Sequence, residues 1–194
     1  MDKPLRDIIC YSNAVFNDTM NNNKWIETPP IGVSCISIQS QNESNYAERW
    51  FKNNNDRIFN LNIDSSSPFW FKGHEAEYYN NALNLYLNNE IDESNAYFNH
   101  THTDEHGIQH NIHLLNYEEA FNLVNWIDTR IKEDNTIYIH CGRGDRRSQG
   151  VVKYIADTYK NDYDIKLNPY NPNDQYNKHI TMMLKRVYKT LKNN

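Results

Sequence analysis

The stretch Ile137–Ser148, with the sequence IYIHCGRGDRRS, holds the residues of this 194-residue chain whose types and spacing best support chemistry. Its apolar start is typical of a buried strand, which delivers Cys141 to the carboxyl end of that strand. A short loop and a new helix follow, so backbone N–H groups converge on one spot and form an anion site. That field favours the thiolate form of Cys141. Arg147 lies where its planar guanidinium can hold two phosphate oxygens, and Gly144 gives the loop backbone freedom.

The elements that must position this segment alternate between strand and helix patterns. Apolar or alternating runs predict strands at Ile8–Tyr11, Val33–Ile38, Ile58–Ile63 and Thr136–His140. Helical spacing or capping residues predict helices at Tyr46–Lys52, Glu75–Asn88, Asn116–Ile131, Ser148–Tyr159 and Asp174–Leu191. We therefore expect an α/β fold with a central, mainly parallel sheet, helices on both faces and the site at the carboxyl ends of the strands.

The segment 65–113 fits no simple alternation of strand and helix. Tyr97–His102 and Ile108–Leu114 could pair as a hairpin around the turn at residues 104–107. The segment is too short and too polar to hold a large core of its own. We predict one domain over residues 1–194 with an insertion at about 65–113.

The pattern His140-Cys141-x5-Arg147-Ser148 resembles the signature of the cysteine-dependent protein tyrosine phosphatases, in particular a compact dual-specificity-like group of phage and bacterial members. Gly144 stands where that group has its loop glycine. Weaker similarity extends to residues 10–12, 35–38, 61–64 and 169–173. The resemblance covers most of the chain outside 65–113, and it implies the three-layer α/β fold of those phosphatases.

The resemblance also implies hydrolysis of phosphate monoesters, mainly of phosphotyrosine but also of phosphoserine or phosphothreonine, through a phosphocysteine intermediate. The Cys141 thiolate would attack phosphorus. Ser148 would hydrogen-bond the sulfur and help it to leave, and His140 would orient the loop and support the thiolate. The phosphate oxygens would be bound by Gly142, Arg143, Gly144, Asp145, Arg146 and Arg147. No metal and no other cofactor is implied.

A general acid must protonate the leaving oxygen and later activate water. The phosphatase group carries an Asp on the loop after the third strand, and Asp64 matches that position best. The group often has its acid one position later, where this chain has Ser65. Asp104 or Glu105 of the insertion could serve instead.

Two arginines depart from the pattern of the group. The group usually has a small residue at position 143 and Gly or Ser at position 146, where this chain has Arg143 and Arg146. The added positive potential could suit a non-protein polyanion such as a phosphoinositide, a nucleotide or an RNA 5′ end. Alternatively, both arginines pair with Asp145 or with acids of the insertion. A phosphate-binding module without turnover is a further alternative, and it would lack a working acid.

The remaining histidines and cysteines have simpler interpretations. Five histidines occur at positions 100, 102, 106, 110 and 113, where metal binding competes with a polar hairpin face and with lining of the substrate cleft. Cys10 and Cys35 are expected in the core, although one could form a reversible disulfide with Cys141 after oxidation. So few and scattered cysteines favour a reducing cytoplasm over a disulfide framework.

Composition excludes several classes of function. Hydrophobic residues make up 38% of the chain and the mean hydropathy is -0.90, which suits a globular domain with a core. No apolar run reaches the roughly 18 residues of a membrane span, and no secretion signal is recognisable. The net charge of -5 argues against broad nucleic-acid binding. The partner that the family resemblance implies is a phosphorylated protein or another phosphomonoester.

Overall fold

A computed structural model describes residues 3–40, 49–64, 99–103, 107–133, 136–168 and 176–193. The strands are Leu5–Ser12 (β1), Val33–Gln39 (β2), Ile58–Asn62 (β3), Asn99–Thr103 (β4), Gln109–His113 (β5), Thr136–Cys141 (β6) and Asp164–Asn168 (β7). The helices of these residues are Asn13–Asn22 (α1), Tyr117–Glu133 (α2), Arg147–Tyr159 (α3) and Lys178–Asn193 (α4).

Five strands form a parallel sheet in the order β3-β2-β6-β1-β7. Strand β6 is central, and its Ile139 pairs with Cys10 of β1 on one side and with Ile36 of β2 on the other. A central strand covered on both faces has no solvent side, which explains its nearly continuous apolar sequence. The predicted α/β class and the parallel sheet are confirmed.

Helices cover both faces of this sheet. Helix α1 packs Phe16 and Met20 on one face, in a small cluster with Cys35. Helices α2, α3 and α4 cover the other face and bury the larger core. Side chains alternate along β6, so Cys141 lies on the face of the larger core, whereas His140 stacks on Phe16 at 3.9 Å between ring centroids. The nucleophile candidate thus lies on the same face of the sheet as α3.

The antiparallel pair of β4 and β5 confirms the predicted hairpin. Its last residue, His113, contacts the second residue after β3: the Asp64 N–H donates to the His113 carbonyl at 2.7 Å. This hydrogen bond attaches the hairpin to the carboxyl end of the sheet. The predicted helix at 75–88 lies outside the described residues.

Side-chain caps mark the beginnings of α2 and α4. Asn116 and Glu119 form a reciprocal capping box at the start of α2, with N–O distances of 3.1 and 2.9 Å. The predicted start of the last helix at Asp174 is wrong, because Asn177 accepts a hydrogen bond from the Ile180 N–H and the helix begins at Lys178. The described end of the predicted helix at 46–52 is not helical.

Two buried histidines predict a loss of stability in acid. Burial lowers the pKa of His140 to about 3 and that of His179 to about 4. An unfolded histidine binds a proton below about pH 6.5, so the unfolded state holds more protons and the free energy of unfolding falls as the pH drops from about 6.5 towards 4. The expected slope is up to about 1.4 kcal/mol per pH unit for each histidine.

Urea unfolding at about pH 7 and about pH 5 measures this loss. His113 opposes it, because its hydrogen bond to Glu119 raises the pKa of that imidazole. His179→Gln keeps an amide donor for the Leu115 carbonyl, which His179 contacts at 2.9 Å, and should show a shallower pH dependence. An unchanged pH dependence in this variant would remove His179 from the explanation.

Candidate active site

The loop between β6 and α3 surrounds the sulfur of Cys141. The Gly144 N–H donates to Cys141 Sγ at 3.2 Å, and Ser148 Oγ lies 3.2 Å from the same sulfur. Cys141 is only 1% exposed, which alone would also suit a structural thiol. Its polar contacts distinguish it, because a backbone N–H and a hydroxyl are donors that stabilise a sulfur anion. The loop can therefore hold a nucleophilic thiolate at its base.

Packing against the β1–α1 junction fixes this loop. The Gly142 carbonyl accepts a hydrogen bond from the Asn13 N–H at 3.1 Å. Gly144 has a φ of 78°, and a Cβ atom there would lie 2.6 Å from the backbone carbon of Tyr11. Both backbone conformation and space thus require glycine at position 144, where the family resemblance also puts one.

We expect Gly144→Ala to lower the free energy of unfolding by about 3 kcal/mol, through the left-handed conformation and the overlap with Tyr11. Gly32→Ala is the matched control, since Gly32 has a φ of 81° but no atom within 4 Å of the added Cβ. The control should lose only about 1 kcal/mol. Urea denaturation measures both, and equal losses would show that the Tyr11 contact costs nothing.

Arg147 is the first residue of α3, and it is buried at 4% exposure. Its Nη1 donates to the Ile63 carbonyl at 3.1 Å. That contact joins the loop to the end of β3, next to Asp64. The guanidinium therefore lies between the cysteine loop and the residue predicted as general acid.

Asp64 is buried beside Ile63, and both of its oxygens accept hydrogen bonds. Oδ1 accepts from the Ser40 hydroxyl, and Oδ2 accepts from the His113 N–H at 2.8 Å. The carboxylate thus ties β2 and the hairpin to the carboxyl edge of the sheet. A role as acid requires it to exchange one of these contacts for the leaving oxygen. The rival acids Asp104 and Glu105 lie outside the described residues.

His140 has no hydrogen bond to the loop. Its ring is fully buried, neither nitrogen has a hydrogen-bond partner among the residues that the structure describes, and the ring stacks on Phe16. Burial, with the nearby charges of Arg49 and Arg147, lowers the pKa of His140 to about 3, so the ring is neutral at pH 7. Its contribution in this structure is packing beneath the loop, whereas the resemblance implies that it orients the loop.

The two additional arginines do not make the expected pair with Asp145. Arg143 is exposed, Arg146 is half-buried, and neither forms an ion pair within the part of the chain that the structure describes. The acids of the insertion, at residues 65–98 and at Asp104 and Glu105, lie outside that part. The loop therefore presents Arg143 to solvent beside the anion site.

Two residues that the sequence did not suggest as site residues contact the loop. Gln149 Nε2 donates to the Gly144 carbonyl at 3.3 Å, and Cys10 Sγ lies 3.5 Å from the same oxygen. The sequence predicts Cys10 in the core, with a reversible disulfide to Cys141 as an alternative for Cys10 or Cys35, but it does not predict a contact of Cys10 with the loop backbone. A glutamine in the first turn of a helix has no recognisable sequence signature.

No group of three His, Cys, Asp or Glu side chains among the described residues could share a metal ion. His106 lies outside those residues, as do the side chains of His100, His102 and His110. His113, the described member, is bound to Glu119 at 2.7 Å. Within the same residues, no helix is long and apolar enough to cross a bilayer.

Comparisons with protein-family models, with curated proteins and with solved structures return no match to this chain. The residues and geometry of the loop are therefore the basis on which a function can be assigned.

Proposed function

We propose that this chain hydrolyses phosphate monoesters through a phosphocysteine intermediate, on a fold of the protein tyrosine phosphatase type. The observation that carries the proposal is the pair of 3.2 Å contacts of Cys141 Sγ with the Gly144 N–H and with Ser148 Oγ. They lie where a central parallel strand ends and a helix begins, the position at which an α/β sheet binds anions.

In the first step the Cys141 thiolate attacks phosphorus, a sulfur–phosphorus bond forms, and the bond from phosphorus to the leaving oxygen breaks. The leaving oxygen takes a proton from the general acid. Arg147 and the loop N–H groups bind the phosphoryl oxygens, where charge is concentrated in the transition state. The guanidinium is held in place by its Nη1, which donates to the Ile63 carbonyl at 3.1 Å.

In the second step water attacks phosphorus and the sulfur leaves as a thiolate. The acid of the first step now accepts a proton from that water. The Ser148 hydroxyl lies 3.2 Å from the sulfur and stabilises the departing anion by a hydrogen bond. Inorganic phosphate and the free enzyme are the products.

Trapping the intermediate tests this proposal. Rapid acid quenching during turnover of a phosphate-labelled aryl phosphate should leave the label on Cys141, located by peptide mass mapping. Turnover without a labelled cysteine would contradict covalent catalysis. Binding of inorganic phosphate with neither label nor turnover would instead identify a phosphate-binding module.

Asp64 is the proposed general acid. Asp64→Asn should lower kcat/KM, which reports only the first step, by about 100-fold for phenyl phosphate, whose leaving group needs a proton. The loss should be much smaller for para-nitrophenyl phosphate, because nitrophenolate leaves unprotonated. Ser40→Ala is the control, since it removes the contact to Asp64 but keeps the carboxyl. Equal losses of kcat/KM for both substrates would mean that Asp64 only anchors the hairpin.

A second candidate keeps the chemistry and changes the substrate to a non-protein polyanion. The observation in its favour is Arg143, exposed and without an ion pair among the described residues. A second phosphate group on the substrate could bind there. Arg143→Ser should then lower kcat/KM for inositol phosphates or 5′-triphosphorylated RNA but not for phosphotyrosine peptides. If the ratio of kcat/KM between Arg143→Ser and the wild type is the same for all these substrates, the protein substrate is favoured.

A further inference from the structure

We propose that Gln149, assisted by Cys10, is a positioning residue that fixes Gly144 so that its N–H points at the Cys141 sulfur. As far as turnover is concerned, this inference rests on the proposed function. Neither residue touches the sulfur of Cys141 through a hydrogen bond of its own. Both would act through the backbone of Gly144.

The backbone N–H and the carbonyl of Gly144 contact different partners. Its N–H donates to Cys141 Sγ at 3.2 Å, and its carbonyl accepts from Gln149 Nε2 at 3.3 Å. The Cys10 sulfur adds a contact to that carbonyl at 3.5 Å. Gln149 is the third residue of α3, so the helix fastens the loop that precedes it.

Gly144 needs this additional hydrogen bond because a glycine backbone is conformationally free. It has a φ of 78° and no side chain, and a glycine can leave this conformation at little cost. A rotation about its backbone bonds would turn the N–H away from the sulfur and remove a donor that stabilises the thiolate. The backbone of Tyr11 leaves no room for a side chain at Gly144, and the hydrogen bond from Gln149 sets the orientation of the Gly144 carbonyl.

Gln149 is the stronger of the two anchors. An amide N–H is a good donor, whereas a thiol S–H is a weak one. Burial raises the pKa of Cys10 to about 12, so that thiol keeps its proton and remains a donor. We therefore expect a larger effect from changing Gln149 than from changing Cys10.

The test compares Gln149→Met, which keeps the length but has no donor, with Gln149→Glu, whose carboxylate opposes both the Gly144 carbonyl and the thiolate. The readout is the rate of Cys141 alkylation by iodoacetate at about pH 6, located by peptide mass mapping. We expect an alkylation rate about five-fold lower in Gln149→Met, with a similar loss in kcat, and a further loss in Gln149→Glu. A side chain that only fills space would leave the alkylation rate of Gln149→Met unchanged.

Alkylation needs no turnover, so the two proposals can fail separately. Wild-type rates of both alkylation and hydrolysis in Gln149→Met would overturn the role of Gln149 and leave the phosphatase proposal standing. Absence of hydrolysis in the wild type would overturn the phosphatase proposal, while the alkylation rates would still decide the role of Gln149. If Gln149→Met does not fold, Gln149→Asn replaces it with the same expectation, because its amide is one methylene too short.

Cys10 has a matched pair of variants. Cys10→Ser keeps a donor towards the Gly144 carbonyl, and Cys10→Ala removes it. We expect about a two-fold lower rate of Cys141 alkylation in Cys10→Ala, and a rate closer to wild type in Cys10→Ser. Equal rates in both variants would exclude Cys10 from the positioning of Gly144.

Discussion

Cys141→Ser is expected to lower kcat for aryl phosphate hydrolysis by at least about 1,000-fold at about pH 6. A serine hydroxyl keeps the contacts to Gly144 and Ser148 but stays protonated, so it cannot attack phosphorus at a useful rate. Phosphate binding should survive, because the loop N–H groups and Arg147 are unchanged. Steady-state kinetics and isothermal titration with inorganic phosphate measure the two effects.

Cys35→Ser is the matched control for this variant. Cys35 is a buried thiol of the same sheet, but it packs on the opposite face with Phe16 and Met20. The control should lose stability without losing kcat per folded molecule. Equal activity of Cys141→Ser and wild type would remove Cys141 as nucleophile and, with it, the proposed function.

Arg147→Lys is expected to lower kcat by about 100-fold, the usual consequence of removing a preorganised donor from a transition state. Lysine keeps the positive charge but lacks the planar fork that binds two phosphoryl oxygens at once. The same change weakens the contact to the Ile63 carbonyl, so the free energy of unfolding should also fall, by about 1 kcal/mol. Kinetics and urea denaturation separate the two losses.

Arg6→Lys controls for the loss of a buried arginine. Arg6 is buried in β1 at the end of the sheet away from the loop, and it donates to the carbonyls of Ile131 and Lys132. This variant should lose stability at unchanged kcat. If Arg147→Lys behaves in the same way, Arg147 is a structural link between the loop and β3 rather than a phosphate ligand.

The fold and the centre of the site follow from local sequence. The apolar run before Cys141 predicts a buried strand, and the structure makes that strand the middle of the parallel sheet. Glycine at position 144 follows from the need for an unusual backbone conformation, which its φ of 78° bears out. Such features are predictable because strand burial and loop conformation depend on residues close together in the chain.

Features that depend on distant residues or on common polar side chains are not predictable in this way. The partners of Asp64 are Ser40 and His113, and His113 lies 49 positions away. Strand β7 has an exposed–half-buried alternation at the sheet edge, so its sequence lacks the apolar character of a central strand. Helix α1 is rich in polar residues and is held by the Ser12 cap and by two buried side chains, Phe16 and Met20, among others. Such elements are stabilised by tertiary contacts, which overrule weak local preferences.

The most direct test of the account is a crystal structure of the protein with orthovanadate bound. We predict a bond from vanadium to the sulfur of Cys141, loop N–H groups directed at the vanadate oxygens, and the Arg147 guanidinium within hydrogen-bond distance of two of them. Vanadate bound elsewhere, or a Cys141 sulfur without a vanadium ligand in a crystal saturated with vanadate, would contradict the account.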